Sequence, residues 1–327
     1  KPLRSPAMPL AIRLEYVLLA SALVTFAGCA DDSTASGGGG GSNLVGGGGA
    51  AAGGAAPGTP PDGEIAISLR DGVALRAWIY LPSGDGPHPL FVMRNPYAGL
   101  NVDADLEAYA QFFRDRGIGL VWQAVRGTGG SGGAFVPYIA EVDDAHDTLD
   151  WLAAQPWSNG RFAVGGGSYL GYTAWASAAA DPRVRVVLSD DTAADEEMTR
   201  HGGVVDGYLL SWWSYVERER FANDAELSAL SNGLDVPSAD SAVLGRDLPY
   251  WNDLLAAGLA TYPPAASLRT LAKDVCTPAL HIVEGSTGWR DPIETWTAIA
   301  QDGCAAQRDH QWLIVAPEPH SYHFSAF

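Results

Sequence analysis

Metal-binding cysteine motifs and an excess of positive charge are both missing from this 327-residue sequence. Its three cysteines form no CxxC pair, so the sequence does not indicate structural zinc. Lys and Arg total 20 against 38 for Asp and Glu, and a net charge of −18 would repel phosphate backbones, which disfavours nucleic-acid binding. Hydrophobic residues make up 47% of the chain and 11 residues are Trp, enough for a large folded core.

The first 29 residues have the features of an export signal. Lys1, Arg4 and Arg13 precede or flank the apolar run YVLLASALVTFAG at 16–28, which is too short to span a bilayer comfortably. The run ends in FAGC, which resembles a bacterial lipobox, a motif whose cysteine, here Cys29, is acylated and becomes the mature N-terminus. We therefore expect an exported lipoprotein, anchored to the membrane in the periplasm or at the cell surface. An ordinary signal sequence with an incidental cysteine is the alternative.

Residues 30–62 are predicted to form a disordered tether. Glycine occupies 12 of the 22 positions from 37 to 58 and half of the others are alanine, so few side chains are available for burial. A tether beside a lipid anchor would let a folded body reach away from the membrane. That body is expected to be one large α/β domain at 63–327.

Beyond the tether, predicted strands alternate with predicted helices. EIAISLRDG and VALRAWIYLP form a hairpin around Asp71 and Gly72, and strands follow in PLFVMRNPY, GLVWQAV, RFAVGGG, VRVVLSD, PALHIVEG and QWLIVAPEPH. The predicted helices are at 106–116, 142–152 and 292–299, with a further helix from Tyr169. Helices between strands imply right-handed crossovers and a mainly parallel sheet. Residues 192 to about 270 break this rhythm with helical pieces such as YLLSWWSYV and ELSALSNGL, which we interpret as a cap inserted over the sheet.

The strand RFAVGGG leads directly into Ser168. Residues 166–171 (GGSYLG) form a G-x-S-x-x-G arrangement at a strand-to-helix turn, similar to a nucleophile elbow except that Leu170 stands where the second Gly of G-x-S-x-G normally lies. A serine on such a turn projects its hydroxyl above the sheet edge, and small neighbours relieve the crowding. A Gly-rich connection with a helix-capping serine is the alternative.

Several segments together resemble a known family. DTLDWLAAQPWSNGRFAVGGGSYLGYTAW at 147–175, with MRNPY, VRGTGGSGG and WLIVAPEPH, is similar to the cocaine esterase and Xaa-Pro dipeptidyl-peptidase group of α/β-hydrolases, in order from about 64 to 323. The resemblance implies an α/β-hydrolase fold, with a mainly parallel eight-stranded sheet and an inserted helical cap. Members usually carry a C-terminal β-sandwich after the catalytic histidine, whereas this sequence stops at Phe327. That domain is expected to be absent, either because the chain is a fragment or because this version lacks it.

A candidate acid and then a histidine follow the serine, in the chain order that α/β-hydrolases require. The resemblance assigns the acid to Asp291 in GWRD, although Asp291 also fits a helix N-cap followed by Pro at the first helical position. Glu284, at the end of the preceding strand, is the reserve acid. His320 in APEPHSYHF follows the last strand and is the candidate base, and His323 is the competing histidine.

Two donors are predicted for an oxyanion hole. The backbone N–H of Tyr169, the residue after the nucleophile, is the first. The resemblance assigns the second to the hydroxyl of Tyr97 in RNPY. Trp212 and Trp213 are candidates for the wall of an acyl pocket, but adjacent helical residues point in different directions, so one of them could instead belong to the core.

Arg126 and two of the cysteines have candidate structural roles. Arg126 lies in VRGTGGSGG, where no Lys-Ser/Thr follows, so the loop is not typical of phosphate binding and is expected to position the rim near the elbow. Cys276 precedes the strand PALHIVEG and Cys304 ends the next predicted helix. They could pair in an exported protein, and the sequence leaves pairing and free thiols open.

These residues predict a serine hydrolase that works by two-step acyl transfer. His320 would take the Ser168 proton, Ser168 would attack an ester or amide carbonyl, and water would release the acyl-enzyme, with no metal or organic cofactor. The expected substrates are small acyl compounds or short peptides, and the lipid anchor would be the membrane contact.

Two other functions stay open. An Xaa-Pro dipeptidyl-peptidase needs a carboxylate to hold the substrate amine. Acids of the predicted cap could supply this carboxylate, or they could equally lie on solvated helix faces. These acids are Asp195, Glu196, Glu197 and Asp206. A noncatalytic surface-binding lipoprotein on a hydrolase scaffold is the competitor from another class.

Overall fold

Ten strands and eight α-helices lie within residues 63–84, 86–97, 103–192, 200–201, 204–205, 208–218, 236–257, 267–272, 275–284 and 291–316, which are the residues that the computed structural model describes. The strands are β1 (Gly63–Ser68), β2 (Ala74–Tyr80), β3 (His88–Asn95), β4 (Gly119–Ala124), β5 (Ser158–Gly167), β6 (Val184–Asp190), β7 (Arg200–His201), β8 (Val204–Val205), β9 (Ala279–Glu284) and β10 (Gln311–Ala316). The α-helices are α1 (Asp103–Arg114), α2 (Glu141–Ala153), α3 (Tyr169–Ala180), α4 (Tyr208–Arg218), α5 (Ala239–Leu244), α6 (Trp251–Ala256), α7 (Leu268–Ala272) and α8 (Asp291–Asp302). Single 3-10 turns occupy Val236–Ser238 and Arg308–His310.

Eight of the strands form one sheet in the order β1-β2-β4-β3-β5-β6-β9-β10. The β1–β2 and β2–β4 pairs are antiparallel and the other neighbouring pairs are parallel. The predicted hairpin around Asp71 and Gly72 joins β1 to β2, and Gly72 adopts a φ of 86° that favours glycine. The prediction of a mainly parallel eight-stranded sheet is confirmed. The short ribbon of β7 and β8 was not predicted, because two-residue strands are too short to show a period.

Both faces of the sheet are covered by helices, as a parallel sheet requires. Alternate residues of β3 enter two different cores: Leu90 and Val92 pack with α3, whereas Phe91 and Met93 pack with α1. Helix α3 is buried along almost its whole length, and its alanines and glycine allow it to lie close to the sheet. The strand that carries the candidate nucleophile is therefore held near the middle of the sheet, between β3 and β6.

Helices α4 to α7 occur between β6 and β9, where the sequence predicts a cap, and we use "cap helices" for these four. Helix α4 contacts α5, and α7 packs on α3. The predicted helical piece ELSALSNGL lies outside the described residues, as do Cys29, the tether at 30–62, and the four acids Asp195, Glu196, Glu197 and Asp206. Among the described helices, none has the length and apolar character needed to cross a membrane.

Cys276 and Cys304 form the disulfide that the sequence left open, with their Cα atoms 5.2 Å apart. Cys276 lies just before β9 and Cys304 just after α8, so the bond closes the β9–α8 unit. This unit carries both candidate acids, Glu284 at the end of β9 and Asp291 at the start of α8.

We expect Cys304→Ser to lower the free energy of unfolding by about 2–4 kcal/mol, because the bond restrains a long loop in the unfolded chain. Urea unfolding of the oxidised wild type and the variant measures the difference. Dithiothreitol should destabilise the wild type by the same amount and leave Cys304→Ser unchanged. Equal stability of oxidised and reduced wild type would contradict a stabilising role for the bond.

Candidate active site

Ser168 joins β5 to α3 in a backbone conformation that is unfavourable for a serine. Its φ is 55° and its ψ is −128°, and holding a non-glycine residue in such a region costs about 1–3 kcal/mol. The Ser168 N–H donates to the carbonyl oxygen of Asp190 on the neighbouring strand β6 at 2.9 Å, which fixes the turn. The backbone therefore follows the strand–turn–helix path that the GGSYLG pattern predicts.

Close packing explains why the second glycine of the pattern lies at 171 and not at 170. A Cβ on Gly171 would lie 1.7 Å from Oγ1 of Thr192, which follows β6, so a side chain there would force α3 away from the sheet. Leu170 instead points into the core on the α1 side. A Cβ on Gly166 would lie 2.2 Å from the Cβ of Leu170, so the leucine is accommodated only because residue 166 is glycine.

Tyr169 is the first residue of α3, where backbone N–H groups have no intrahelical acceptor. Its N–H is thus suited to the predicted oxyanion hole. Its side chain is buried, and the hydroxyl group both donates and accepts a hydrogen bond. The hydroxyl donates to Oε1 of Glu141 at 3.0 Å and accepts from the N–H of Tyr138 at 2.7 Å. Burial, together with the nearby Glu141 carboxylate, raises the pKa of Tyr169 well above its usual value, so the hydroxyl keeps the proton that it donates.

A buried ion pair lies behind this tyrosine. Arg94 on β3 is 1% exposed and its Nη2 lies 2.9 Å from Oε2 of Glu141, the first residue of α2. Arg94 also donates to the carbonyl oxygen of Glu141 at 2.7 Å and to Oε1 of Gln123 at 3.1 Å. Burial raises the pKa of the Glu141 carboxyl, and the Arg94 guanidinium counteracts this by favouring the charged form. The network connects β3, α2 and the first turn of α3.

Sequence reasoning missed Arg94 and Glu141. A signal was available, because an arginine inside the apolar strand PLFVMRNPY must find a partner if it is buried. The identity of that partner was not readable, since Glu141 lies 47 residues away along the chain.

Tyr97 lies two residues beyond the end of β3, at the same sheet edge as Ser168. Strands β3 and β5 are parallel neighbours, with Val92 opposite Val164, so their carboxyl ends meet at one edge. The Tyr97 N–H donates to Oδ1 of Asn95 at 2.8 Å, which turns the chain as it leaves the strand.

The cap helix α4 brings Trp212 to both tyrosines. The Trp212 indole N–H donates to the hydroxyl oxygen of Tyr97 at 3.0 Å, and its ring lies 5.4 Å from the ring of Tyr169. Trp213 is fully buried and packs against Tyr250 and under the guanidinium of Arg246. Of the two tryptophans, Trp212 is therefore the one that contacts Tyr97 and Tyr169.

Buried carboxyl groups mark the ends of β6 and β9, beside the elbow. Glu284 is 1% exposed, and its N–H donates to Oδ1 of Asp191 at 3.1 Å. The Asp191 N–H in turn donates to the carbonyl oxygen of Ile282 at 2.8 Å. Asp291 begins α8, but its side chain lies outside the described part of the structure, as do His320 and His323. The assignment of the acid to Asp291 or Glu284, and of the base to His320, stays a prediction.

A cleft of about 500 Å³ lies beside the β1–β2 turn and the start of α2, and both charged and apolar side chains line it. Arg126 crosses it, with Nη1 2.7 Å from Oδ2 of Asp71 and Nη2 2.6 Å from Oδ1 of Asp144. These ion pairs are consistent with the structural role predicted for the Arg126 loop. Among the described residues, no cluster of three or more His, Cys, Asp or Glu side chains could hold a metal ion.

Comparison with known proteins identifies similar chains. The family model for X-Pro dipeptidyl-peptidase (S15 family) matches residues 71–322. Cocaine esterase from Rhodococcus sp. (strain MB1 Bresler) is 29% identical over 292 aligned residues, which cover 79% of this chain and 48% of that protein. The chain thus spans about half the length of this relative.

Solved structures share the fold. An α-amino acid ester hydrolase labelled with selenomethionine superposes with a TM-score of 0.60 at 22% identity, over 81% of this chain and 50% of the other. A CocE/NonD family hydrolase from Staphylococcus aureus superposes with a TM-score of 0.56 at 22% identity, over 79% and 46% of the two chains. Both confirm the α/β-hydrolase fold.

Proposed function

Because the chain belongs to the X-Pro dipeptidyl-peptidase (S15) family, we propose that it is a serine hydrolase that cleaves an acyl ester or amide bond, with Ser168 as the nucleophile. The observation that carries the proposal is the conformation of Ser168. Its φ of 55° on the turn between β5 and α3 is a costly arrangement for a serine, and such strain concentrates at functional sites. Tyr97 and Tyr169 follow the neighbouring parallel strands β3 and β5, and the Tyr97 hydroxyl and the Tyr169 N–H are the donors that we propose for the oxyanion.

In the proposed reaction, His320 removes the hydroxyl proton of Ser168 while Oγ attacks the carbonyl carbon of the substrate. The carbonyl oxygen becomes an oxyanion, which accepts hydrogen bonds from the Tyr169 N–H and the Tyr97 hydroxyl. Collapse of this intermediate expels the alcohol or amine, to which His320 returns the proton. Water then attacks the acyl-enzyme by the same route and releases the acid.

A carboxylate is needed to orient His320 and to stabilise the imidazolium. Asp291 is proposed for this role, with Glu284 in reserve. Both belong to the β9–α8 unit closed by the disulfide, and both follow the serine in the expected chain order.

Cleavage of Xaa-Pro dipeptides is the second candidate, favoured by the name of the matching family. Ester hydrolysis is favoured by the similarity to cocaine esterase. The two activities share the acyl-transfer step, and they differ in the leaving group and in whether a carboxylate must hold a free amine.

Labelling with a fluorophosphonate probe tests the proposal. The wild type is expected to form a covalent adduct, because the probe requires an assembled and activated serine, whereas Ser168→Ala should form none. Mass spectrometry of the labelled peptide should place the adduct on Ser168. A screen of p-nitrophenyl esters against Xaa-Pro anilides then separates the two substrate classes.

The contrary outcome is equally informative. If the wild type shows native circular dichroism and a cooperative unfolding transition yet takes up no probe, the hydrolase proposal fails for this chain. A noncatalytic binding role on the hydrolase scaffold would then be the better explanation.

A further inference from the structure

Trp212 is the point at which a cap helix meets both proposed oxyanion donors. It is 3% exposed, its indole N–H donates to the Tyr97 hydroxyl oxygen at 3.0 Å, and its ring lies 5.4 Å from the ring of Tyr169. The Tyr97 and Trp212 rings meet edge to face at 6.5 Å. One side chain from α4 therefore contacts residues that follow two different strands of the main sheet, β3 and β5.

The direction of this hydrogen bond matters for the chemistry. A phenolic hydroxyl can both donate and accept, so an isolated tyrosine does not fix where its hydrogen points. The indole N–H can only donate, which forces the Tyr97 oxygen to accept on the side facing Trp212. The Tyr97 hydrogen is thereby directed away from the indole, and accepting a bond makes the O–H a stronger donor.

We propose that Trp212 is a positioning residue for Tyr97, which sets the tyrosine hydroxyl as a hydrogen-bond donor to the oxyanion. This inference rests on the proposed hydrolase function and assigns Trp212 a role distinct from a wall of the acyl pocket. A wall acts on the acyl group and changes KM and acyl preference. A positioning residue acts on the transition state through Tyr97, so its removal lowers kcat and leaves KM unchanged.

The test is a double-mutant cycle with p-nitrophenyl acetate and p-nitrophenyl butyrate as substrates. Trp212→Phe keeps a ring against Tyr169 and removes the N–H, so kcat should fall about five- to tenfold, the scale of one neutral hydrogen bond, with the same KM for both esters. Tyr97→Phe should lower kcat about 10²–10³-fold. In the Tyr97→Phe background, Trp212→Phe should change kcat less than about twofold, because the group on which it acts is gone.

A matched control removes an indole hydrogen bond elsewhere. Trp296 on α8 donates its N–H to the carbonyl oxygen of Gln311 at 3.4 Å, and Trp296→Phe should leave kcat within about twofold of wild type. If Trp212→Phe does not fold, benzothienylalanine at position 212 replaces the N–H by sulfur in a ring of nearly the same shape and gives the same comparison.

Two outcomes overturn the inference, and they are distinguishable. A wild type that neither reacts with fluorophosphonate nor hydrolyses the esters removes the proposed function and this inference with it. An active wild type in which Trp212→Phe lowers kcat by the same factor with and without the Tyr97 hydroxyl, or raises KM more for the butyrate than for the acetate, overturns the positioning role alone.

Discussion

Replacing Ser168 with alanine is expected to lower kcat for p-nitrophenyl acetate by about 10⁵–10⁶-fold, the scale seen when a serine hydrolase loses its nucleophile. The proposed oxyanion donors cannot replace the lost attack, because they act only once a nucleophile has reached the carbonyl. Residual hydrolysis above the rate in water would then come from Tyr97, Tyr169 and binding alone. Steady-state kinetics at matched folded concentration measure the loss.

Ser177→Ala is the matched control for this prediction. Ser177 lies on the same helix, is buried, and donates its hydroxyl to the carbonyl oxygen of Thr173 at 2.7 Å. Its loss should cost about 1 kcal/mol of stability and leave kcat within about twofold. A loss of turnover in Ser177→Ala as large as that in Ser168→Ala would show that the helix has been disturbed and would remove the assignment of the nucleophile.

The variant Ser168→Gly tests whether the backbone is strained at this residue. Glycine tolerates the φ of 55° that serine and alanine resist, so Ser168→Gly should be as inactive as Ser168→Ala but more stable by about 1 kcal/mol. The gain is smaller than the strain itself, because glycine also increases the entropy of the unfolded chain. Urea unfolding compares the two variants. Greater stability of the alanine variant would mean that no strain is stored at this residue.

Much of the fold was predictable, because its strands and helices carry strong local signals. Asp71 and Gly72 mark the hairpin, and the apolar strands are separated by helices long enough for parallel crossovers. The nucleophile turn was predictable for the same reason, because GGSYLG is a local pattern. Its glycines are required by close contacts with residues a few positions away or with the end of the neighbouring strand. The boundaries of α1 and α8 differ from the predicted ones by two or three residues at an end, where helices fray and cap.

The parts that were not predictable depend on long-range packing. The sequence named Trp212 and Trp213 together, because neighbouring helical residues carry no sign of which one faces the sheet. In the structure Trp212 meets Tyr97, 115 residues away along the chain, while Trp213 packs in the cap. The pairing of Cys276 with Cys304 was open for the same reason, because the distance between two Cα atoms in the fold cannot be deduced from the number of residues between them.

Loss of the Glu141 side chain is expected to be the most destabilising single change away from the nucleophile. Glu141→Ala would leave the Arg94 guanidinium, 1% exposed, without its carboxylate, and such an unpaired buried charge costs about 3–5 kcal/mol. The Tyr169 hydroxyl would lose its acceptor at the same time, so kcat should also fall, by about tenfold if one hydrogen bond that holds the first turn of α3 is lost. Urea unfolding and ester hydrolysis measure the two effects.

A surface pair of the same chemistry serves as the control. Arg114 and Glu107 are 3.2 Å apart, but the glutamate side chain is 63% exposed, so Glu107→Ala should cost less than about 1 kcal/mol. The double variant Arg94→Met/Glu141→Leu should be more stable than Glu141→Ala, because no charge is then left buried, yet it should keep the kcat defect, because Tyr169 still lacks its acceptor. Recovery of both stability and kcat in the double variant would contradict the connection between the ion pair and the elbow. Recovery of stability alone would mean that the buried pair is retained for the placement of Tyr169 and not for the stability of the fold.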